Sequence, residues 1–358
     1  MTNSQEKKWR LLRARLAGHP LWCTWQVTYR CDFRCRFCHY WCDEMGKLPE
    51  QTLEEFDIGS RQLAKWGTLM ISLAGGEPLL RGDIVDIVRL VSRWHMPFLT
   101  TNGYQTEPDL AHDLYAAGLW GVSVSLDYTQ QERHDHARGV PGAFERAIRA
   151  LDIFSRARKF PWQRLNLMAV LLDDNLQEVE PLIQLAAEYD AYFMIQPYSV
   201  LKTGSTKFRH AETHQIGSYL LALRKKYPNF LSNPLFLSQF DAALDGGVPN
   251  CAAGKAFFNI DSTGDIAICV EQRQSPIANL YRDDMTTISR RLRQNSKGNS
   301  CRRCWYNCRG EIESLYQVYG LIKSLPTYLF DHGRPLKKND CFQAPTVREG
   351  MSEITNDE

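Results

Sequence analysis

The sequence predicts an α/β protein, a partial (β/α)6 barrel followed by a small cysteine-rich auxiliary domain. Two observations carry that expectation. Between Leu21 and about Pro197, short β-like runs alternate six times with amphipathic helical stretches, the pattern of repeated βα units and a parallel sheet. Beyond residue 250 the repeat gives way to a hairpin pattern and clustered cysteines. At 358 residues the chain is long enough to bury a large core.

Taken in order, residues 1–20 set Lys7, Lys8, Arg10, Arg13 and Arg15 among Trp9, Leu11, Leu12 and Leu16. This reads as a short basic amphipathic helix that plugs the bottom of the domain, although such a face also suits a membrane surface or a peptide. Residues 21–200 form the barrel. Strands are expected at 22–28, 68–73, 97–101, 121–126, 165–171 and 192–196, with helices at 53–65, 84–94, 108–117, 142–155 and 176–189. Residues 201–250 leave the repeat as a helical linker, with helices at 210–227 and 235–244 before Asp245-Gly-Gly247 and Pro249. In residues 251–345, runs at 257–260 and 266–270 alternate around the turn Asp261-Ser-Thr-Gly264 and read as a hairpin. The polar, acidic tail 346–358 is expected to be disordered.

The net charge of +2 and pI near 8.0 mark no nucleic-acid binder. No apolar run reaches the ~18–20 residues of a membrane span and no signal-peptide core opens the chain, so a cytoplasmic protein is expected. Eleven cysteines are many for that compartment, where clustered thiols bind metal or do chemistry rather than form disulfides. Cys31, Cys35 and Cys38 stand within eight residues. A closed zinc site wants four ligands, whereas a 4Fe–4S cube on three thiolates keeps one iron open for a ligand. A zinc knuckle completed by His39 or Cys42, or chance clustering, are the plainer readings of the triad alone. Cys23 is expected to be a buried strand residue, and Cys42 is either functional or merely packed.

The residues downstream of the triad favour the open cluster. The expected second strand runs into Gly75-Gly76-Glu77-Pro78, where glycines let backbone approach a ligand and a carboxylate stands ready for an ammonium. C-x3-C-x2-C with Phe37 before its last cysteine, together with this Gly-Gly-Glu-Pro, resembles the radical S-adenosylmethionine (SAM) superfamily. The resemblance implies SAM bound to a [4Fe–4S] cluster on Cys31, Cys35 and Cys38, with its amino group held by the Gly75–Pro78 segment and Glu77. Thr101-Asn102-Gly103 is similar to a frequent family strand end, and also matches a generic turn. Ser125, Asp127 and Arg138 are similar to the family's ribose and carboxylate contacts. A histidine pair like His134 and His136 otherwise reads as a solvated loop. The adenine site is expected at the ends of strands 5 and 6, near Leu171 and Gln196.

Cys251, Gly264 and Cys269 in the pattern C-x12-G-x4-C resemble the opening of the SPASM and twitch auxiliary-cluster domains, and Cys301, Cys304, Cys308 and Cys341 come after them. A full seven-cysteine SPASM set is not met, since position 312 is Ile312. Two ligand sets remain open: one twitch-like [4Fe–4S] cluster on Cys251, Cys269, Cys301 and Cys304, the favoured reading, or one on Cys301, Cys304, Cys308 and Cys341 with a second, incomplete site on Cys251 and Cys269. The nearby arginines are expected beside an anionic cluster and give no reason to invoke nucleic acid.

The resemblance implies an enzyme that cleaves SAM to a 5′-deoxyadenosyl radical and removes hydrogen from an unactivated carbon. Its electron would come from a reductant such as flavodoxin or ferredoxin, and its auxiliary cluster would assist oxidation or anchor substrate. Maturation of a ribosomally made peptide, with a separate recognition protein for its leader, is placed ahead of tailoring a small metabolite or tetrapyrrole. A non-catalytic zinc or electron-transfer module is the remote alternative, and Gly-Gly-Glu-Pro has no use there.

Overall fold

In the computed structural model of the chain, which describes residues 4–211, 214–317 and 320, six parallel strands lie in chain order across one sheet. They are β1 (Trp22–Thr28), β2 (Met70–Gly75), β3 (Met96–Thr101), β4 (Gly121–Ser125), β5 (Arg164–Leu171) and β6 (Tyr192–Pro197). Each lies within two residues of its expected bounds. This is the partial α/β barrel that the repeat predicts, with apolar residues such as Val27, Leu73, Leu99, Val122, Leu167 and Ile195 buried in its core.

The helices that cover the barrel bury one stripe each. They begin with α1 (Ser4–Leu16) and α2 (Leu53–Leu63), then α3 (Ile84–Ser92) and α4 (Pro108–Ala116). Helix α2 starts at a capping box in which Thr52 and Glu55 satisfy each other's backbone N–H groups. The basic helix α1 packs at the C-terminal end of α3, where Lys7 is buried and donates to the Ser92 carbonyl while Trp9 and Leu16 are exposed. After β4 the chain forms α5 (Gln131–Arg138) and α6 (Ala143–Ala157). The expected solvated loop at 134–136 is therefore a correction: it is helical, and His134 is wholly buried while His136 stays exposed. Helix α7 (Val179–Glu188) leads to β6, and the 201–250 region supplies α8 (Ile216–Lys226), α9 (Pro234–Ser238) and α10 (Phe240–Asp245).

The C-terminal hairpin extends the barrel sheet itself. Strand β7 (Phe257–Ile260) pairs in parallel with β1 from Trp22↔Phe257 to Trp25↔Ile260, and β8 (Asp265–Ala267) and β9 (Ala278–Asn279) add antiparallel strands beyond it. The hairpin is shorter than expected because the chain turns at Val270–Gln272 into a 3-10 helix. Helices α11 (Met285–Ser296) and α12 (Asn307–Ser314) complete the described chain, and α12 packs on α9, β1 and β7 at the open side of the barrel. Cys341 and the tail 346–358 lie outside the described residues.

Among the described residues no helix is long and apolar enough to cross a membrane.

Candidate active site

The loop that carries the triad is tied down on two sides by backbone hydrogen bonds. Gly76 N–H donates to Thr28 O at 2.9 Å and Glu77 N–H to Arg30 O at 2.8 Å, while Arg36 N–H donates to Ala137 O at 3.0 Å. The first pair needs glycine: Gly75 sits at φ +141, and a Cβ there would stand 1.8 Å from the Thr28 carbonyl oxygen. On the α5 side, Gly139 at φ +71 ends the helix against Arg34 in the same way. Asp32 anchors a third side by accepting from Asn102 Nδ2 at 2.7 Å and Gln105 Nε2 at 3.0 Å.

These ties turn Cys31, Cys35 and Cys38 onto one cavity of about 410 Å³ within the barrel, whose wall also includes Phe37, Gly75, Gly76, Glu77, Ser125, Arg138 and Gln196. Burial pushes the Cys31 thiol up to about 12 and Cys35 to about 11, each also opposed by the charge of a neighbouring thiol. Three thiols turned onto one cavity, with a metal able to draw off their protons, leave one coordination position of a cube for a ligand. The donor set therefore fits an iron–sulfur cluster. The thiols are spread around the cavity: among the described residues no three Cys, His, Asp or Glu side chains close on one ion-sized point.

Glu77 is fully buried. Its Oε1 accepts from Leu79 N–H at 3.0 Å and Thr101 Oγ1 at 2.8 Å, and its Oε2 from Asn102 N–H at 2.7 Å. Of roughly four lone-pair sites on a carboxylate, one on Oε2 remains for a ligand. Burial pushes this carboxyl up to about 7 against those three donors. The Thr101-Asn102 strand end thus frames Glu77. Arg138 lies over the Phe37 ring at 5.1 Å and hydrogen-bonds to Asp127 Oδ2 at 2.8 and 2.7 Å. Asp127 stands behind it, wholly buried, with Oδ1 accepting from Val170 N–H at 2.9 Å. It aims Arg138 and is not part of the cavity wall. Pro78 is buried at the turn after Glu77, and Gln196 Oε1 accepts from Asn307 N–H at 3.3 Å.

The same cavity reaches the second group of thiols at Cys308 on α12. Burial first, then the charges of Cys304, Cys269 and Cys251, push Cys308 well up, and Cys251, Cys269 and Cys304 are raised to about 12, 11 and 12 by burial. Cys308 faces the charges of Cys304, Cys269 and Cys251, and Cys301 also acts on Cys304, so the described members of both ligand sets read from the sequence stand near one another. Cys23 is buried in β1 as expected. Cys42 is exposed and donates to His39 O.

Several residues of the cavity carry no motif. Lys202 lies just past β6, and Asn307 and Glu311 project from α12 on the face that bears Cys308. Asn307 Oδ1 is a buried acceptor with no partner among the described residues. Both Glu311 oxygens share the Asn233 N–H, at 3.1 and 3.0 Å, and burial pushes this carboxyl up to about 7. The folded protein then holds a proton that the unfolded chain has released between about pH 4.5 and 7, so stability falls as pH rises through that window. Glu311→Gln should flatten the fall by at most about 3 kcal/mol, read from urea unfolding at pH 5 and pH 7.5. An unchanged pH dependence would contradict the burial of this carboxyl.

Residues 25–186 match the family model of the radical SAM superfamily. The barrel is a radical SAM domain. Its chain is 31% identical over 186 residues to the AdoMet-dependent heme synthase of Methanosarcina barkeri, covering 50% of this chain and 52% of that protein. It is 26% identical over 259 residues to the mycofactocin maturase MftC of Mycolicibacterium smegmatis, covering 70% of this chain and 64% of the relative. The chain thus spans about half to two thirds of the length of these relatives. Among solved structures, Streptococcus suis SuiB bound to its precursor peptide SuiA superposes with a TM-score of 0.61 at 19% identity, over 78% of this chain and 67% of that one. This likeness shows the radical SAM fold, and it runs past the domain into the C-terminal thiol region.

Proposed function

We propose that the protein is a SPASM/twitch-type radical SAM enzyme that matures a ribosomally made peptide. The observation that carries this reading is that one cavity is lined both by the triad and by Cys308 of the C-terminal group. The likeness to a mycofactocin maturase over 70% of the chain supports the peptide class.

Cys31, Cys35 and Cys38 would hold a [4Fe–4S] cluster with one iron open to SAM, and that cluster would supply the electron for reductive SAM cleavage and so the radical chemistry by which hydrogen would be removed from substrate carbon. The chain's own part is binding, orientation and exclusion of water. Arg138, fixed by Asp127, offers its guanidinium to the SAM carboxylate. The free lone pair of Glu77 Oε2 accepts from the SAM ammonium, whose charge favours the ionised carboxylate. Ser125 and Gln196 line the wall toward the ribose and adenine. Phe37 and Tyr198 close apolar surface over the site. Cys251, Cys269, Cys304 and Cys308 would hold an auxiliary cluster, whose chemistry there would be electron acceptance or substrate anchoring.

The test is anaerobic incubation with SAM, a flavodoxin or ferredoxin reductant, and a short peptide encoded beside the gene. A mass change in the peptide together with 5′-deoxyadenosine is expected. Peptide that stays unmodified while a small metabolite is converted would move the assignment to the metabolite class.

A further inference from the structure

Between the two thiol groups a lysine is held in an aromatic and acidic cage. Lys202 Nζ lies 4.7 Å from the centre of the Tyr40 ring, 4.9 Å from that of Tyr306 and 3.0 Å from Glu271 Oε1. Tyr306 Oη closes the cage by donating to the same Glu271 oxygen at 2.8 Å. Each wall stands two residues from a cluster thiol: Tyr40 comes after Cys38, Tyr306 before Cys308, and Glu271 after Cys269. The charge of Lys202 acts on both Cys38 and Cys308. The other charges facing this cage are Arg273, 4.9 Å from the centre of the Tyr40 ring and paired with Asp43, and Arg138 on the far side of the triad at Cys35.

We propose that Lys202 is a positioning residue shared by the two iron–sulfur sites, a fixed cation that raises the reduction potential of both, with Glu271 as its counterweight. The inference rests on the reading of a second cluster on the C-terminal thiols. An electron added to a thiolate-bound cluster increases its negative charge, so a nearby cation favours the reduced form and a nearby carboxylate opposes it. Inside a cavity walled by protein both effects exceed their size in water. The tyrosine faces hold the ammonium by cation–π attraction and keep it from turning away to solvent. Because the cage touches both loops, one side chain poises the two sites together.

The test is an anaerobic redox titration of the reconstituted protein, monitored by electron paramagnetic resonance, in wild type, Lys202→Met, Lys202→Arg, Glu271→Gln and the Lys202→Met/Glu271→Gln double variant. Lys202→Met should lower both potentials by the equivalent of a tenfold change in the reduced-to-oxidised ratio, about 59 mV for one electron. Glu271→Gln should raise both, the double variant should fall between, and Lys202→Arg should stay near wild type. Opposite signs from the two members of one ion pair are not produced by general loosening of the site. Shifts of the same sign in both single variants, an arginine variant that moves as far as the methionine one, or movement of one cluster alone would each overturn the proposal. If Lys202→Met loses its iron, the arginine and Glu271→Gln results decide. Two clusters with unmoved potentials would sink this inference and leave the second cluster standing, whereas a wild type with one signal and about four irons would sink both.

Discussion

Replacing Cys31, Cys35 and Cys38 together by alanine should abolish reductant-dependent formation of 5′-deoxyadenosine. The effect should be complete, because the three thiols share one cavity wall with Gly75, Gly76 and Glu77 and all three ligands of that cluster would be lost together. It should also be specific. The loop is held by Thr28, Arg30, Ala137 and Asn102 through bonds that involve no thiol, so the variant should keep its fold and its C-terminal iron. Thermal unfolding and iron analysis provide those controls. Continued SAM cleavage in the triple variant would remove the cluster from this site.

In that triple-alanine background about four irons should remain, since one cube takes four irons and four ligands. Adding Cys269→Ala or Cys308→Ala should remove essentially all of them, while Cys301→Ala should leave most in place. The resemblance to twitch domains put Cys301 in the favoured ligand set. We propose Cys308 in its place, because it stands at the start of α12 on the cavity wall, within electrostatic reach of Cys304, Cys269 and Cys251. Iron loss in Cys301→Ala with retention in Cys308→Ala would restore the set read from that resemblance. A full cube that survives Cys269→Ala but not Cys341→Ala would place the cluster on the last four cysteines.

The barrel was legible because its strands and outer helices obey simple periods, as in α6, where Ala147, Ala150, Leu151 and Phe154 form one buried stripe. Helix α5 was not, because its buried face is built from His134, Ala137 and Arg138, and only one of these is apolar. Helix α11 buries Met285, Ile288 and Leu292 at helical spacing, but the arginines around them read as a cluster's basic surroundings. In the site, the cysteines and Gly-Gly-Glu-Pro announce themselves by spacing. Asp127 looked like a ligand contact because sequence cannot tell a residue on a cavity wall from the one that orients it. Lys202, Asn307 and Glu311 had no local signal: Lys202 follows β6 in an unpatterned turn, and Asn307 and Glu311 reach the cavity through packing of the C-terminal segment against the barrel, a relation between residues more than a hundred positions apart.

The parallel pairing of β7 with β1 has a consequence for how the protein is made. Strand β1, which launches the triad loop, emerges from the ribosome early, while its partner at Phe257–Ile260 is translated more than two hundred residues later. At ~5–20 residues per second, one edge of β1 waits roughly 10–50 s for its neighbour, with β2 able to cover only the other edge. An unpaired edge strand is an open template for association with another chain. Synthesis of this protein therefore passes through an interval in which the strand that feeds the triad is exposed to neighbouring nascent chains, and the hairpin flanked by Cys251 and Cys269 is the segment that ends it.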